Sequence, residues 1–144
     1  MLLIALLVAG CDSYPLEDAK KNGDIITGPP GQINEDKLDA FLHDVAVRKD
    51  SKIRITSYTI EGDPVLHDLH YADGMIHYTY DNSRDKHGGK RKGKYSTACK
   101  KIGTMKLIET ENDDQVDYAL SECKKIIGIH DPEKKAIYLM SKLK

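Results

Sequence analysis

The chain is 144 residues long, 31% charged and 40% hydrophobic, with a formal net charge of −1. That length suits one domain with a core of its own. The near-neutral balance excludes a global field that would select nucleic acid or one membrane face, and nucleic acid is not an expected partner.

Met1 to Gly10 is apolar apart from its terminal amine. It is too short to span a bilayer, which takes about 20 apolar residues, and it suits the apolar segment of an export signal, about 7–15 residues long. Small residues at Ala9 and Gly10 let a peptidase reach the backbone before Cys11. Leu7-Val8-Ala9-Gly10-Cys11 resembles a bacterial lipobox. The resemblance implies cleavage before Cys11 and a diacylglycerol thioether on its sulfur. No Lys or Arg precedes the apolar run, and a start further upstream would supply the missing basic segment. The alternative is an ordinary secretory signal with a chance cysteine. On the lipoprotein reading the partner is a lipid membrane held through acylated Cys11, with the domain facing outside the cytoplasm. Each buried methylene of such an anchor contributes about 0.8 kcal/mol.

Residues 11–32 are polar and broken by Pro15, Pro29, Pro30 and Gly31. They lack an apolar period and are expected to form a flexible tether, followed by a single domain over 33–144. Within the tether, Asp24 to Thr27 has the composition of a short strand.

The first strong element is a helix over about 35–49. Asn34 is placed to cap it, and Glu35 and Asp36 fall at the positive end of its dipole. Ile33 and Leu38 are placed as a hydrophobic staple. Leu38, Phe41, Leu42 and Val45 give it one apolar face, with His43 off that face.

Strands follow. Residues 53–60 are β-branched, with Ile53, Ile55, Ser57 and Thr59 on one side. Glu61 to Pro64 is a turn signal. Residues 65–71 and 75–81 flank Asp73-Gly74, which suits a two-residue hairpin turn. That turn sets Tyr71 against Ile76, Leu69 against Tyr78 and His67 against Tyr80 on one face. His70 against His77 and Asp68 against Thr79 form the other, and one residue of slip would swap the faces. Asn82 to Lys94 is a charged loop. Residues 95–102, 105–110 and 116–121 read as strands, with a turn at 112–114. The tail reads as a last hairpin, 126–129 and 136–140, turning at His130-Asp131-Pro132. No internal repeat is present.

With Cys11 lipidated, Cys99 and Cys123 remain as an even pair in an oxidising compartment, and a disulfide between them is expected. Two buried free thiols are the alternative. Neither cysteine has another at the close spacing of a zinc site or a CxxC redox pair.

Lys52 to Thr56, Ile60 to Pro64, Tyr78 to Asp85 and the spaced Cys99 and Cys123 together resemble small Gram-positive lipoproteins grouped as a domain of unknown function of the 4362 type. The resemblance covers about residues 18–123. It implies an exported, membrane-attached α+β domain and supplies no activity, substrate or catalytic residue.

Three sets of residues are candidates for chemistry. His70 opposite His77, with Asp68 a step along the same face, brings two imidazoles and a carboxylate to about 5 Å cross-strand spacing. That set suits a divalent transition metal, and the plain alternative is an exposed polar face. Arg84, Lys86, Lys90, Arg91, Lys92 and Lys94 sit in one glycine-containing loop and would contact anions by charge. The alternative there is a solvated, mobile loop. It is not a P-loop, since no Ser or Thr follows Lys90. Tyr71, Tyr78 and Tyr80 suit either a binding surface or a core stripe with hydroxyls at its rim. No GxSxG elbow or HExxH occurs, and no catalytic residue or cofactor is expected.

The sequence therefore predicts an α+β fold, one N-terminal amphipathic helix packed on an antiparallel β-sheet built from hairpins. The expected function is a non-enzymatic lipoprotein that binds a small ligand or a protein. A small metal-assisted hydrolase using His70 and His77, or an immunity or inhibitor protein, are the alternatives. A cleft with convergent polar groups would favour the enzyme, and a broad apolar patch a protein partner.

Overall fold

The computed structural model describes residues 13–106 and 114–144. Its elements are α1 (Leu16–Asn22), β1 (Ile25–Thr27), α2 (Asp36–Ala46), β2 (Ser51–Tyr58), β3 (Pro64–Ala72), β4 (Met75–Asp81), β5 (Lys94–Thr104), β6 (Gln115–Cys123), β7 (His130–Asp131) and β8 (Ala136–Leu143). A single 3-10 turn, Gly89–Arg91, lies between β4 and β5. The eight strands form one sheet in the order β1-β2-β3-β4-β5-β6-β8-β7. Strand β1 pairs parallel with β2, and every other pair is antiparallel.

This corrects the expected α+β fold of a helix on a hairpin sheet. The described residues are mostly β, 46% strand against 17% helix, a single curled sheet with two short helices. The reason is alternation. The inner face of the sheet carries Ile55, Leu69, Tyr71, Ile76, Tyr78, Cys99, Leu120, Ile137 and Leu139, which share one core with Leu38 and Phe41 of α2. Burying so long an apolar face needs more cover than an eleven-residue helix offers, so the sheet curls and covers part of itself. Contacts across the curl tie its two ends. Gln32 Nε2 donates to the Ser141 carbonyl, and Lys142 Nζ pairs with Asp39 of α2 at 2.9 Å.

The expected tether over 11–32 is also corrected. Residues 16–27 belong to the fold, with Ala19, Ile25 and Ile26 fully buried. Ala19, Ile26 and Tyr58 form a second, smaller core on the outer face, flanked by Tyr14, Leu16 and Ile33. Asp24 fastens this segment down. Its Oδ2 accepts from the Tyr14 hydroxyl at 2.7 Å and from Thr56 Oγ1 at 2.8 Å. The Tyr58 hydroxyl donates to the Tyr14 carbonyl at 2.9 Å.

Asn34 does not cap α2. It is left-handed, with φ 59°, and its Nδ2 donates to the Asp24 carbonyl at 3.0 Å. Ile33 and Leu38 form no staple, because they pack into the outer and inner cores respectively. The hairpin register between β3 and β4 is as expected, with Leu69 opposite Tyr78 and His70 opposite His77. Most of the strand expected over 105–110, and all of the turn at 112–114 but its last residue, lie outside the described residues; β5 pairs directly with β6. In the tail, His130 and Asp131 are strand rather than turn, pairing with Ile137 and Ala136. The chain turns beyond them, where Asp131 Oδ1 accepts from the Glu133 and Lys134 amides and Lys135 adopts φ 51°.

Cys99 and Cys123 face each other across β5 and β6 and are joined by a disulfide. Reduction is expected to lower stability by about 3 kcal/mol, from the loop-closure entropy released to the unfolded chain, read as a shift in urea midpoint with and without reductant. Asp24→Ala is expected to cost about 2–4 kcal/mol in the same assay, since it strands two hydroxyls on a charge-assisted acceptor. An unchanged midpoint would return residues 13–24 to the status of a tether.

Candidate functional site

Strand β4 separates two concavities. On the outer face, a groove of about 650 Å³ is lined by Asn22 to Ile25, Lys37, Lys52 to Arg54, Asp68 to His70, His77 and Thr79. On the inner side, a pocket of about 380 Å³ is lined by Tyr80, Asn82, Arg91, Tyr95, Lys125 to Gly128 and His130. Period-2 alternation along β4 produces this division, because His77 and Thr79 point one way while Tyr78 and Tyr80 point the other.

The groove holds the residues expected to bind a metal. His70 and His77 stand opposite one another, with ring centroids 6.2 Å apart. Asp68 is committed elsewhere. Its two oxygens accept from Arg54 Nε at 2.6 Å and Arg54 Nη2 at 3.1 Å, a bidentate pair that raises the guanidinium pKa. The Arg54 guanidinium also lies 5.6 Å from the centroid of the Tyr14 ring. Among the described residues no group of three His, Cys, Asp or Glu is arranged to hold a metal ion. Lys37 Nζ donates to the Gly23 carbonyl, whereas Lys52 is exposed at the groove.

The basic loop is divided by its own contacts. Arg84 turns back to Asp81, Nη1 to Oδ2 at 3.1 Å, and is half-buried, its Nε without a hydrogen-bond partner among the described residues. Burial pushes the Asp81 carboxyl up, but hydrogen bonds from Ser83 and the Arg84 charge outweigh it, and the net pKa is lowered. Lys86, Lys90, Arg91, Lys92 and Lys94 are exposed. The base of the loop is fastened: Asn82 N–H donates to the Gly93 carbonyl at 3.1 Å, and Gly93 N–H to Asn82 Oδ1 at 2.9 Å. The Tyr95 hydroxyl donates to the Arg91 carbonyl at 2.8 Å, which holds the 3-10 turn over the pocket. Of the six basic residues, Arg91 lines the pocket.

The opposite wall comes from residues 125–130, where the expected strand over 126–129 does not form and the chain is irregular until β7. After Cys123 the chain runs back along β5, with Lys124 N–H donating to the Ala98 carbonyl at 2.9 Å and Lys125 N–H to Thr97 Oγ1 at 3.0 Å. This brings Lys125, Ile126, Ile127, Gly128 and His130 to the pocket. Gly128 has φ 68°, and a Cβ there would lie 3.1 Å from the Tyr80 ring. An isolated glycine inside a strand-like run signals such a close approach and was the available clue.

Beneath the pocket wall lies a buried polar pair. His67 Nδ1 is 2.7 Å from the Tyr78 hydroxyl, and the His67 ring meets Tyr80 edge-on with centroids 5.4 Å apart. Burial lowers the His67 pKa to about 4 from 6.5 and raises that of Tyr78. Tyr71 and Tyr78 are core residues, while Tyr80 is half-buried and reaches the pocket.

Residues 22–119, more than half of the chain, match a family described as a domain of unknown function (DUF4362). The chain belongs to that family. The matched DUF4362 region includes Tyr80, Asn82, Arg91 and Tyr95 but ends before Cys123 and the Lys125 to His130 wall. No curated protein and no solved structure matches the chain. Among the described residues, no helix is long and apolar enough to cross a membrane.

The buried imidazole gives a pH prediction. Between pH 6.5 and about 4 the unfolded state binds a proton that folded His67 does not, so stability falls as pH drops through that window. The loss is expected to approach about 3 kcal/mol at completion. Chemical denaturation at a series of pH values should show this slope in the wild type and lose it in His67→Phe. Asp81 contributes separately, at still lower pH, because its stabilisation disappears as pH falls through its lowered pKa.

Proposed function

We propose that the chain is a lipid-anchored, extracytoplasmic, non-enzymatic binding module that takes an anionic ligand at the pocket beside β4. One observation carries this reading. Arg91 and Lys125, from segments far apart in sequence, converge on a single cavity together with His130, and among the described residues no carboxylate lines it. Lys90, Lys92 and Lys94, exposed and next to Arg91 along the chain, carry the same sign of charge, which would favour anions by attraction and by faster encounter. The lipobox-like stretch ending at Cys11 supports the anchor, and the Cys99–Cys123 disulfide accords with an oxidising location.

The metal-assisted hydrolase draws no support from the outer groove. Both Asp68 oxygens are taken by Arg54, and His70 and His77 gain no third ligand among the described residues. A metal would have to displace a bidentate ion pair to recruit that carboxylate.

Two measurements test the proposal. In cells, Cys11→Ser is expected to release the protein into the medium, and intact mass of the native protein should carry the acyl groups; retention at the membrane would contradict the anchor. In solution, calorimetric titration of the chain from residue 11 onward, with Ser in place of Cys11, should detect inorganic phosphate binding that weakens as salt is raised. Arg91→Gln with Lys125→Gln should weaken it at least fivefold, and Lys52→Gln in the outer groove should not.

A further inference from the structure

We infer that the pocket selects organic anions with a ring-sized apolar body over inorganic ones, so that its natural ligand is a compact amphipathic phosphate or carboxylate. This rests on the anion-binding reading above and adds to it the half of the ligand that is not charged.

The cations occupy the rim. Arg91 stands on the 3-10 turn and Lys125 on the segment that follows β6, both exposed. The rest of the cavity is a different surface. Ile127 is buried, Ile126 half-buried, and the Tyr80 and Tyr95 side chains complete the wall. A free inorganic anion would satisfy the rim and leave this wall in water. An anion bearing an apolar body would cover the wall as well, and burial of apolar area would add to the charge attraction.

The wall is built to keep its shape. Tyr80 is backed by the buried His67 ring, centroids 5.4 Å apart, and His67 in turn stacks on Tyr78 at 6.1 Å. Tyr95 is 38% exposed, unusual for so large an apolar ring, yet its hydroxyl is fixed on the Arg91 carbonyl. Gly128 lets the backbone close in on the Tyr80 ring, since a Cβ there would lie 3.1 Å from it and the residue would have to keep φ 68°. A polar end and an apolar body are therefore presented with little conformational freedom left to lose on binding. The pocket joins Tyr80 and Tyr95, inside the matched residues 22–119, to Lys125 to His130, which lie beyond them.

The test is a calorimetric comparison of inorganic phosphate, phenyl phosphate and phenol on the Cys11→Ser chain beginning at residue 11. Phenyl phosphate is expected to bind at least tenfold more tightly than inorganic phosphate, and phenol more weakly than either. Tyr95→Phe, which keeps the ring, should keep the phenyl advantage, whereas Tyr95→Ala should remove most of it and, because the hydroxyl also holds the Arg91 turn, weaken phosphate as well. Ile126→Ser serves as a second wall variant, and thermal melts confirm that both remain folded. Amide shifts on phenyl phosphate addition should centre on residues 126–128. Equal affinity for phosphate and phenyl phosphate would overturn the apolar selectivity and leave the anion site standing. Absence of binding by either phosphate, or phenol binding as tightly as phenyl phosphate, would overturn both. Shifts centred on His70 and His77 would also sink the inference.

Discussion

Both central residues of the turn between β3 and β4 have positive φ, 54° at Asp73 and 75° at Gly74. Backbone of this hand matches the right-handed twist of the strands it joins and permits a two-residue connection with a single register. The consequences run through the whole molecule. His67, Leu69 and Tyr71 face inward with Ile76, Tyr78 and Tyr80, while Asp68 and His70 face outward with His77 and Thr79. A slip of one residue would bury the Asp68 carboxylate and expose the tyrosines, an exchange that no neighbouring strand could accommodate. Strand β2 and β5 then read their own faces from this hairpin, Arg54 meeting Asp68 on one side and Ala98 meeting His77 on the other.

How far the sequence disclosed this depended on the range of the forces involved. The Asp73-Gly74 register, the stripe of Leu38 and Phe41 and the pairing of Cys99 with Cys123 follow from local pattern or simple parity, and each is present. Within 16–27 only Asp24 to Thr27 carried a signal, that of a short strand, and β1 is there; residues 16–22 carried none. Helix α1 buries only Ala19, so it has no apolar period, and β1 is three residues long. What holds them is Asp24 reaching Tyr14 and Thr56, a contact between distant positions that composition cannot reveal. Asn34 failed as a cap for a related reason. Its amide found the Asp24 carbonyl, and tertiary context overrode a local preference.

The proposed binding site divides along the same line. Arg91 stood out as part of a basic run, but its partner wall did not, because residues 126–129 look like an ordinary apolar strand and His130 like part of a turn. They become a wall through the disulfide and the two amide bonds that follow it, to Ala98 and to Thr97. The bridge between β5 and β6 thus does more than limit the unfolded chain. It directs the polypeptide leaving β6 back toward the start of β5, where Tyr95 and the turn carrying Arg91 are found. Conversely, the histidine pair expected to bind a metal is present in the expected register, while the carboxylate meant to complete it accepts two hydrogen bonds from Arg54.

Tyr14 is clasped from two sides, its carbonyl by Tyr58 and its hydroxyl by Asp24. From there back to Cys11 the backbone can extend at most about 10 Å. With the acylation proposed for Cys11, this is a leash too short to lift the globule clear of the lipid head groups. The protein would then lie on the bilayer like a moored float rather than wave above it like a kite. It would sample only solutes that come within one globule's width of the cell, at a nearly constant height and with little freedom to tumble.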